Sequence, residues 1–266
     1  MIATLRNLFR AKSPRMLASV PDGQRVYAIG DIHGRLDLLR GAISAIEADD
    51  ASRGAADTTV ILLGDLIDRG PDSAGVIAEA RAWASRRKVR MIAGNHEEMF
   101  LDSFEKKDVM RHFLRYGGRE TLLSYLIDPA AYNAATIEET QALAKAAVPQ
   151  ADIDLMHAME DRIAIGDYLF VHAGIEPGVP ADRQKTSDLR WIRQRFIESK
   201  EDHGAIVVHG HTIFETTDVR PNRIGIDTGA YESNLLTALG LEGTSRWLIE
   251  TRGADSAVSS TTRNLG

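Results

Sequence analysis

Cysteine is absent from the 266 residues of the chain. Disulfide bonds and thiolate metal ligands are therefore excluded, so a metal site would have to use histidine, aspartate, glutamate or asparagine. An excess of positive charge is also missing, because the formal net charge is −6 at pH 7. General nucleic-acid-binding proteins are usually basic, and we therefore expect no nucleic-acid partner.

Long hydrophobic runs are missing too. No stretch of the sequence approaches the roughly 20 apolar residues of a membrane-spanning helix, and Arg6 and Arg10 interrupt the apolar residues at the start, which is not typical of a secretory signal. We expect a cytoplasmic protein without stable membrane insertion. Residues 1–22 are predicted to be a flexible leader, and the polar residues 252–266 a flexible tail.

Short aliphatic segments recur along the remaining residues, 23–251, which we interpret as a single domain. Such segments are typical of buried strands, and their alternation with helical patterns favours a layered α/β fold. Strands are predicted at 25–29, 59–63, 89–93, 168–171, 205–208, 223–227, 234–241 and 245–250. Helices are predicted at 36–49, 72–87 and 187–200.

Residues 97–160 differ from the rest because they are rich in alanine and glutamate and carry few strand signals. Glycine pairs and Asp-Pro steps interrupt helices, and Gly117-Gly118 and Asp128-Pro129 lie within this region. The pattern indicates a helical insertion in the domain. Its helices are predicted at 97–107, 110–126, 136–147 and 152–160.

Five of the predicted strands end at polar turns that contain glycine. Ligand sites in open α/β folds form beyond the carboxyl ends of the strands, and glycine allows the chain to turn sharply there. We therefore expect these turns to build one shared site. They read GDIHG (30–34), GDLIDRG (64–70), GNHE (94–97), HAG (172–174) and HGHT (209–212).

The polar residues of these turns match a metal site. Carboxylate, imidazole and amide ligands suit Mn²⁺, Fe or Zn²⁺ better than Ca²⁺. Six such ligands exceed what a single metal with an open position needs, but they fit two metals that share a carboxylate and a bridging water, which is typical of phosphoryl hydrolysis. The candidates are Asp31, His33, Asp65, Asn95, His172 and His211.

The order of these five motifs resembles the phosphoprotein phosphatase family of metallophosphoesterases, and most of all its compact bacterial Ser/Thr protein phosphatases. The resemblance covers roughly residues 25–250. It implies a β-sandwich flanked by helices, with a dinuclear metal site at the edge of the sandwich. The predicted strands and helices are compatible with this fold but do not by themselves indicate a sandwich.

The resemblance also implies roles for the metal ligands. Asp31 and His33 match ligands of the first metal, and Asp65 matches the carboxylate that bridges the two. The ligands of the second metal match Asn95, His172 and His211. We expect two divalent ions, with Mn as the expected metal, although Fe, Zn, Ni and Co tolerate the same ligands.

Catalytic and phosphate-binding roles follow from the same resemblance. His96 matches the general acid that protonates the leaving alkoxide, and Asp68 matches the acid that orients this histidine. Arg69 matches an arginine that binds the phosphate oxygens. Arg193, in the stretch LRWIR, is the candidate for a second phosphate-binding arginine, and Asn95 is a further candidate phosphate ligand.

Other polar residues near the motifs are expected to have structural roles. Arg190 and Arg195 are interpreted as helix-surface charges, and His209 as a supporting residue rather than a metal ligand. Glu97 is expected to cap or orient the helix that follows it. Asp227-Thr228-Gly229 and Tyr231 are expected to line the rim of the site or to support His211.

The resemblance implies a hydrolase of phosphoserine and phosphothreonine proteins that uses a metal-bridging hydroxide. One alternative is a symmetrical bis(5'-nucleosyl)-tetraphosphatase or another nucleotide pyrophosphohydrolase. In that branch the second motif usually reads ARG and the third ends in Asp, whereas this chain has Asp68 and Glu97. The other alternative, a non-catalytic phosphate-binding module, is disfavoured because no ligand and no acid is missing. The expected partner is a phosphoprotein or phosphopeptide substrate, and the sequence predicts no oligomeric state.

Overall fold

The computed structural model describes residues 17–254 and 257–265 of the chain. Its strands begin mostly where the aliphatic segments of the sequence do. They are Gln24–Ile29 (β1), Asp57–Leu62 (β2), Val89–Met91 (β3), Arg162–Ile165 (β4), Tyr168–Val171 (β5), Ile206–His209 (β6), Asp218–Val219 (β7), Arg223–Gly225 (β8), Leu235–Glu242 (β9), Ser245–Ala254 (β10) and Ala257–Leu265 (β11).

These strands form two sheets. Sheet 1 has the order β11-β10-β9-β1-β2-β3, and sheet 2 has the order β4-β5-β6-β8-β7. The neighbours β1, β2 and β3 of sheet 1 are parallel, and so are β5, β6 and β8 of sheet 2. Parallel strands end at the same edge of a sheet, so the turns after β1, β2 and β3 lie together, as do those after β5 and β6.

The main core lies on both faces of sheet 1, because successive side chains of a strand point to opposite faces. Val26 of β1 is buried in the layer that also contains Phe170 of sheet 2. Its neighbour Tyr27 points the other way, into a cluster with Trp83. Each fully buried side chain of this size contributes roughly 1.5–3 kcal/mol. The fold is thus a two-sheet sandwich with helices on its outer faces, as the resemblance implied.

Helices cover these outer faces and fill most of residues 95–157. None of the helices in the described part of the chain is both long and apolar enough to cross a membrane. The α-helices are Leu36–Ser52 (α1), Ser73–Ala84 (α2), Asn95–Ser103 (α3), Lys107–Phe113 (α4), Arg119–Ser124 (α5), Pro129–Ala134 (α6), Ile137–Ala147 (α7), Gln150–His157 (α8), Thr186–Trp191 (α9), Gln194–Ile197 (α10) and Ala230–Ser233 (α11).

Two predicted helices are broken in the structure. The segment 110–126 divides into α4 and α5 because Gly117 adopts a left-handed backbone with φ of 105° inside a π-helical turn, Leu114–Gly118. The segment 187–200 divides at Arg193, whose φ of −130° and ψ of −108° are not helical. The chain changes direction at each of these breaks. Both breaks lie close to the site described below.

The prediction that residues 252–266 form a flexible tail is wrong for most of these residues. The strand β10 extends to Ala254, and β11 pairs with it in antiparallel register from Arg246↔Leu265 to Ala254↔Ala257. Nearly every side chain of β11 is exposed, which explains why its polar sequence lacks the apolar alternation of a half-buried strand. Residues 255, 256 and 266 lie outside the described residues.

The expected flexible leader, 1–22, is corrected in its last part. The Val20 side chain is buried in the layer between the sheets, and its backbone N–H donates to the Gly243 carbonyl at 2.9 Å. The Ser19 N–H donates to the carboxylate of Asp167 at 2.9 Å. Ser19 and Val20 therefore dock this segment on both sheets, while residues 1–16 lie outside the described part of the chain.

Candidate active site

The five polar turns meet at one edge of the sandwich. The turns after β1, β2 and β3 come from sheet 1, and those after β5 and β6 come from sheet 2. All six predicted metal ligands are brought to this edge, where at most 6% of each residue is exposed. They are Asp31, His33, Asp65, Asn95, His172 and His211.

Four of these ligands form a cluster where the ends of the two sheets meet. The Nε2 of His172 lies 3.0 Å from Asn95 Oδ1 and 3.2 Å from His211 Nδ1. It also lies 3.4 Å from Asp65 Oδ1. Ligand atoms of Asp65, His172 and His211 all lie within 4.8 Å of one another, which is the spacing of donors around a single cation. We call these three residues and Asn95 the His172 cluster.

The other ligands lie against sheet 1. His33 Nε2 is 3.6 Å from Asp65 Oδ2, so the two carboxylate oxygens of Asp65 face different histidines. The carboxylate of Asp31, two residues before His33, accepts the backbone N–H of His211 at 3.0 Å, which places it beside the His172 cluster. We call Asp31, His33 and Asp65 the His33 cluster. Asp65 is the residue that the two clusters share, and its role as a bridge between two metals stays a prediction.

Backbone hydrogen bonds set the tautomers of two histidines. His33 Nδ1 lies 2.8 Å from the Ile67 carbonyl, and His172 Nδ1 lies 2.9 Å from the Leu63 carbonyl. Because a carbonyl oxygen can only accept, each Nδ1 carries the proton. Each Nε2 then presents its lone pair to the cluster, which is the orientation that metal-binding histidines use.

Burial controls the charge of the clusters. It lowers the pKa of His172 to about 4 and lowers the pKa of His33 well below its ordinary value, so both imidazoles are neutral ligands at pH 7. Burial, together with the neighbouring Asp227 and Asp65, raises the pKa of Asp31. Buried carboxylates of this kind are costly unless a positive charge compensates them. The donor set and its burial therefore fit divalent metal ions.

His96 and Asp68 form a pair beside the His33 cluster. His96 Nδ1 lies 2.5 Å from Asp68 Oδ2, and both residues are almost fully buried. Burial lowers the pKa of His96 and raises that of Asp68. The contact between them is a hydrogen bond, so one of the two atoms carries a proton. His96 Nε2 points the other way, toward Asp65 Oδ2 at 3.8 Å. This nitrogen, and not Nδ1, is therefore the ring atom that faces the clusters.

The guanidinium of Arg69 lies between the two histidines of this region. Its Nη1 is 2.8 Å from His33 Nε2, and its Nη2 is 3.1 Å from His96 Nε2. The guanidinium also lies over the ring of Tyr231, 4.7 Å from the ring centroid, and that ring makes an edge contact with His33. Tyr231 thus orients Arg69, a role that neither a rim position nor support of His211 had predicted.

Among the residues that the structure describes, no neighbour neutralises the charge of Arg193, in contrast to Arg190 and Arg195 of the same segment. Arg190 binds the carboxylates of Glu98 and Asp161, and Arg195 binds Glu176 and Asp188. The Arg193 side chain is exposed and makes no hydrogen bond or ion pair with any residue that the structure describes. Burial is the largest cause that lowers the pKa values of His96 and His211, and the positive charge of Arg193 lowers both further.

Glu97 does more than the predicted capping. It caps α3, as expected, by accepting the N–H of Gly94 at 2.9 Å. It also accepts the backbone N–H groups of Asp65 at 2.9 Å and Leu66 at 2.8 Å. One buried carboxylate therefore fixes the second motif to the third. The motif spacing in the sequence could not indicate these contacts.

His209 and Asp227 are buried beside the clusters. The Nδ1 of His209 lies 3.0 Å from the Gly210 carbonyl, and its ring packs against Phe196. This agrees with a supporting role. Asp227 is buried rather than at the rim, and burial raises its pKa to about 6. Because its charge in turn raises the pKa of Asp31, Asp227 adds negative charge to the His33 cluster.

Thr121 and Ser73 are site residues that sequence reasoning missed. Both are fully buried, and both hydrogen-bond Asp68 from outside the five motifs. Buried hydroxyl groups of this kind have no sequence signature. In the sequence, only the Gly117-Gly118 pair, shortly before Thr121, indicated an unusual backbone near these residues.

Comparison with known proteins agrees with this geometry. The family model for calcineurin-like phosphoesterases matches residues 24–242. The chain is 29% identical to serine/threonine-protein phosphatase 1 of Salmonella typhimurium over 223 residues, which cover 80% of this chain and 90% of that protein. It is 31% identical to the symmetrical bis(5'-nucleosyl)-tetraphosphatase of Klebsiella pneumoniae over 106 residues, which cover 38% and 35% of the two chains.

A solved structure of a cold-active protein tyrosine phosphatase has the same fold. Its TM-score is 0.58 at 18% identity, and the match covers 94% of this chain and 83% of that one. The matched family segment contains every predicted metal ligand and the His96–Asp68 pair. The chain therefore belongs to the calcineurin-like phosphoesterases and is a metal-dependent phosphoesterase, a hydrolase.

Proposed function

We propose that the protein hydrolyses phosphomonoesters of serine and threonine residues in proteins, using two divalent ions of the Mn²⁺ type. The observation that carries this proposal is the buried His96–Asp68 pair, whose Nδ1–Oδ2 distance is 2.5 Å, placed beside the two ligand clusters. A serine or threonine alkoxide leaves as a strong base, so its departure gains from a positioned proton donor. The phosphate group released from a nucleoside polyphosphate is a weaker base and needs that donor less.

The two clusters would hold the ions. Asp31, His33 and Asp65 would bind the first, and Asp65 with Asn95, His172 and His211 would bind the second. Divalent ions at such a site supply positive charge to the phosphoryl oxygens and activate water as a nucleophile.

The remaining roles fall to the side chains of the site. Arg69 would hold the phosphate oxygens with its planar fork, and Arg193 would add a second positive charge from the opposite loop. Asn95 would contact the phosphate from the His172 cluster. His96 would give its proton to the leaving oxygen, and Asp68 would keep the imidazole ring in the required orientation.

The similarity to serine/threonine-protein phosphatase 1 of Salmonella typhimurium supports this substrate class, because it extends over 90% of that protein. A nucleotide pyrophosphohydrolase is the second candidate, and the local similarity to a symmetrical bis(5'-nucleosyl)-tetraphosphatase supports it. Both candidates use the same ligand clusters, so they differ only in the group that leaves.

The deciding experiment follows phosphate release from a phosphoserine peptide and from diadenosine tetraphosphate side by side, with Mn²⁺ added back after chelator treatment. We expect faster turnover of the phosphopeptide. Faster cleavage of the dinucleotide would contradict the proposed substrate while leaving the ligand clusters in place. Equal inactivity with and without Mn²⁺, also on an aryl phosphate, would indicate a binding module instead of an enzyme.

A paired substitution tests the proposed role of Arg193. Arg193→Ala should raise the KM for the phosphopeptide by about 10- to 100-fold, because a hydrogen bond to a charged group contributes roughly 1.5–3 kcal/mol. Arg195→Ala removes another exposed charge from the same segment and should change KM by less than about twofold. Steady-state kinetics of both variants make the comparison. A larger rise in KM for Arg195→Ala than for Arg193→Ala would make Arg195 the phosphate-binding arginine and Arg193 a surface charge.

A further inference from the structure

The turn at residues 64–70 has a backbone that needs external support. Gly64, Asp65, Asp68 and Arg69 all have positive φ angles, of 98°, 49°, 73° and 69°. For residues other than glycine, each left-handed position costs roughly 1–2 kcal/mol, and such strain persists only where surrounding contacts enforce it. Contacts from elsewhere in the chain must therefore hold Asp68 and Arg69 in place.

The helical insertion provides these contacts through one hydroxyl group. Thr121 Oγ1, on α5, donates to Asp68 Oδ1 at 2.6 Å. The same oxygen accepts the backbone N–H of Asp68 at 2.9 Å and lies 2.9 Å from Ser73 Oγ. A hydroxyl group has a single proton. Since Thr121 gives that proton to the carboxylate, Ser73 must be the donor in the contact between the two hydroxyls.

The two oxygens of the Asp68 carboxylate thus have separate partners. Oδ1 binds Thr121, and Oδ2 lies 2.5 Å from His96 Nδ1. All three side chains are almost fully buried, so no solvent could replace a lost partner. Fixing Oδ1 fixes the plane of the carboxylate, and this plane determines how Oδ2 meets the imidazole ring.

The backbone next to Thr121 also contacts the turn. The Arg69 N–H donates to the Gly117 carbonyl at 3.1 Å. A Cβ at Gly117 would lie 2.6 Å from the backbone nitrogen of Arg69, so only glycine permits this approach. Residues 117–121 therefore support both Asp68 and Arg69, although they lie about fifty positions further along the chain.

We propose that Thr121 is a positioning residue for the reaction, and that the helical insertion uses it to keep the Asp68–His96 pair aligned for proton transfer to the leaving group. This inference rests on the proposed role of His96 as general acid. It gives the helical insertion a role in the reaction. Among its described residues, the insertion contributes no ligand to the two clusters.

The dependence of the rate on the leaving group tests this proposal. A phosphoserine peptide requires a proton donor for its alkoxide, whereas p-nitrophenyl phosphate releases a stable phenolate. Thr121→Val removes the hydroxyl group at nearly constant volume. We expect it to lower kcat for the phosphopeptide by about 10- to 100-fold, a fraction of the 10²- to 10⁴-fold contribution of a complete general acid. The kcat for p-nitrophenyl phosphate should fall by less than about threefold.

Two further variants separate positioning from simple folding support. Thr121→Ser keeps the hydroxyl group and should restore the phosphopeptide rate to within about threefold of the parent protein. Thr140→Val removes another buried hydroxyl of the insertion and should leave both rates unchanged. Among the described residues, this hydroxyl bonds only to the carbonyl of Thr136, at the start of its own helix, at 2.9 Å. If Thr121→Val does not fold, Thr121→Ala takes its place in the same comparison.

The outcomes distinguish the inference from the proposed function. Equal losses of both rates in the Thr121 variant, or no loss at all, would overturn the positioning role while His96→Asn still slowed the phosphopeptide selectively. If His96→Asn itself showed no preference between the two esters, the general-acid assignment would fail, and the role of Thr121 would fail with it.

Discussion

Replacing His96 with asparagine should lower the turnover of a phosphoserine peptide by about 10²- to 10⁴-fold, the usual contribution of a general acid. Asparagine can still hydrogen-bond Asp68, but it has no proton to give to the departing alkoxide. The metal content of the protein should not change. This second expectation is decisive because ligand atoms of His33, Asp65 and His96 also lie within 4.8 Å of one another, so His96 has a rival assignment as a metal ligand.

Two measurements on the same preparation distinguish the assignments: kcat for the phosphopeptide, and metal content by elemental analysis after loading with Mn²⁺. His157→Asn is the matched control, because His157 is exposed at the end of α8. A loss of metal that parallels the loss of turnover would make His96 a ligand. Turnover like that of the parent protein on this poor leaving group would remove His96 from the mechanism.

Asp65→Asn should have the second large effect, on metal binding itself. The two carboxylate oxygens of Asp65 face His33 and His172, at 3.6 Å and 3.4 Å, so the residue is placed to bridge two ions. An amide is uncharged and offers a single oxygen. We expect occupancy to fall from about two ions per chain to one or fewer, and turnover to fall by about 10³-fold or more, because the ions supply several kcal/mol of transition-state stabilisation.

The backbone makes Asp65→Asn a suitable test. Asp65 has a φ of 49°, and asparagine tolerates the left-handed region well, so the turn should be retained. Elemental analysis and isothermal titration with Mn²⁺ measure occupancy. Asp182→Asn, at an exposed position, is the control and should bind metal like the parent protein. Full occupancy in the Asp65 variant would show that this residue is not the bridge.

The positions of the site residues could be predicted from the sequence because each follows directly after a predicted strand or lies in the turn after it. Asp31 and Asp65 follow aliphatic segments that form neighbouring parallel strands, and their carboxyl ends must share an edge. His172 and His211 obey the same rule in sheet 2. The two edges meet at one site because the two sheets pack against each other. The pattern of strands in the sequence does not specify this packing.

Other features depended on contacts that local patterns do not encode. The strand β11 is an edge strand with exposed side chains, so its sequence resembles a polar tail. The roles of Glu97 and Thr121 arise from hydrogen bonds to residues 31 to 53 positions away. The break at Arg193 leaves this side chain without an ion pair among the described residues. Only the assembled fold reveals such long-range contacts.

The position of the His172 cluster across the two sheets has a thermodynamic consequence. Asp65 and Asn95 follow strands of sheet 1, while His172 and His211 follow strands of sheet 2. An unfolded chain would have to close loops of tens of residues to gather them, so ions would bind the folded chain almost exclusively. At a free ion concentration a thousandfold above Kd, such selective binding would favour the folded state by about 4 kcal/mol. The same ions would then hold the two sheets of the sandwich together, and the resistance of the protein to denaturation would depend on the supply of metal.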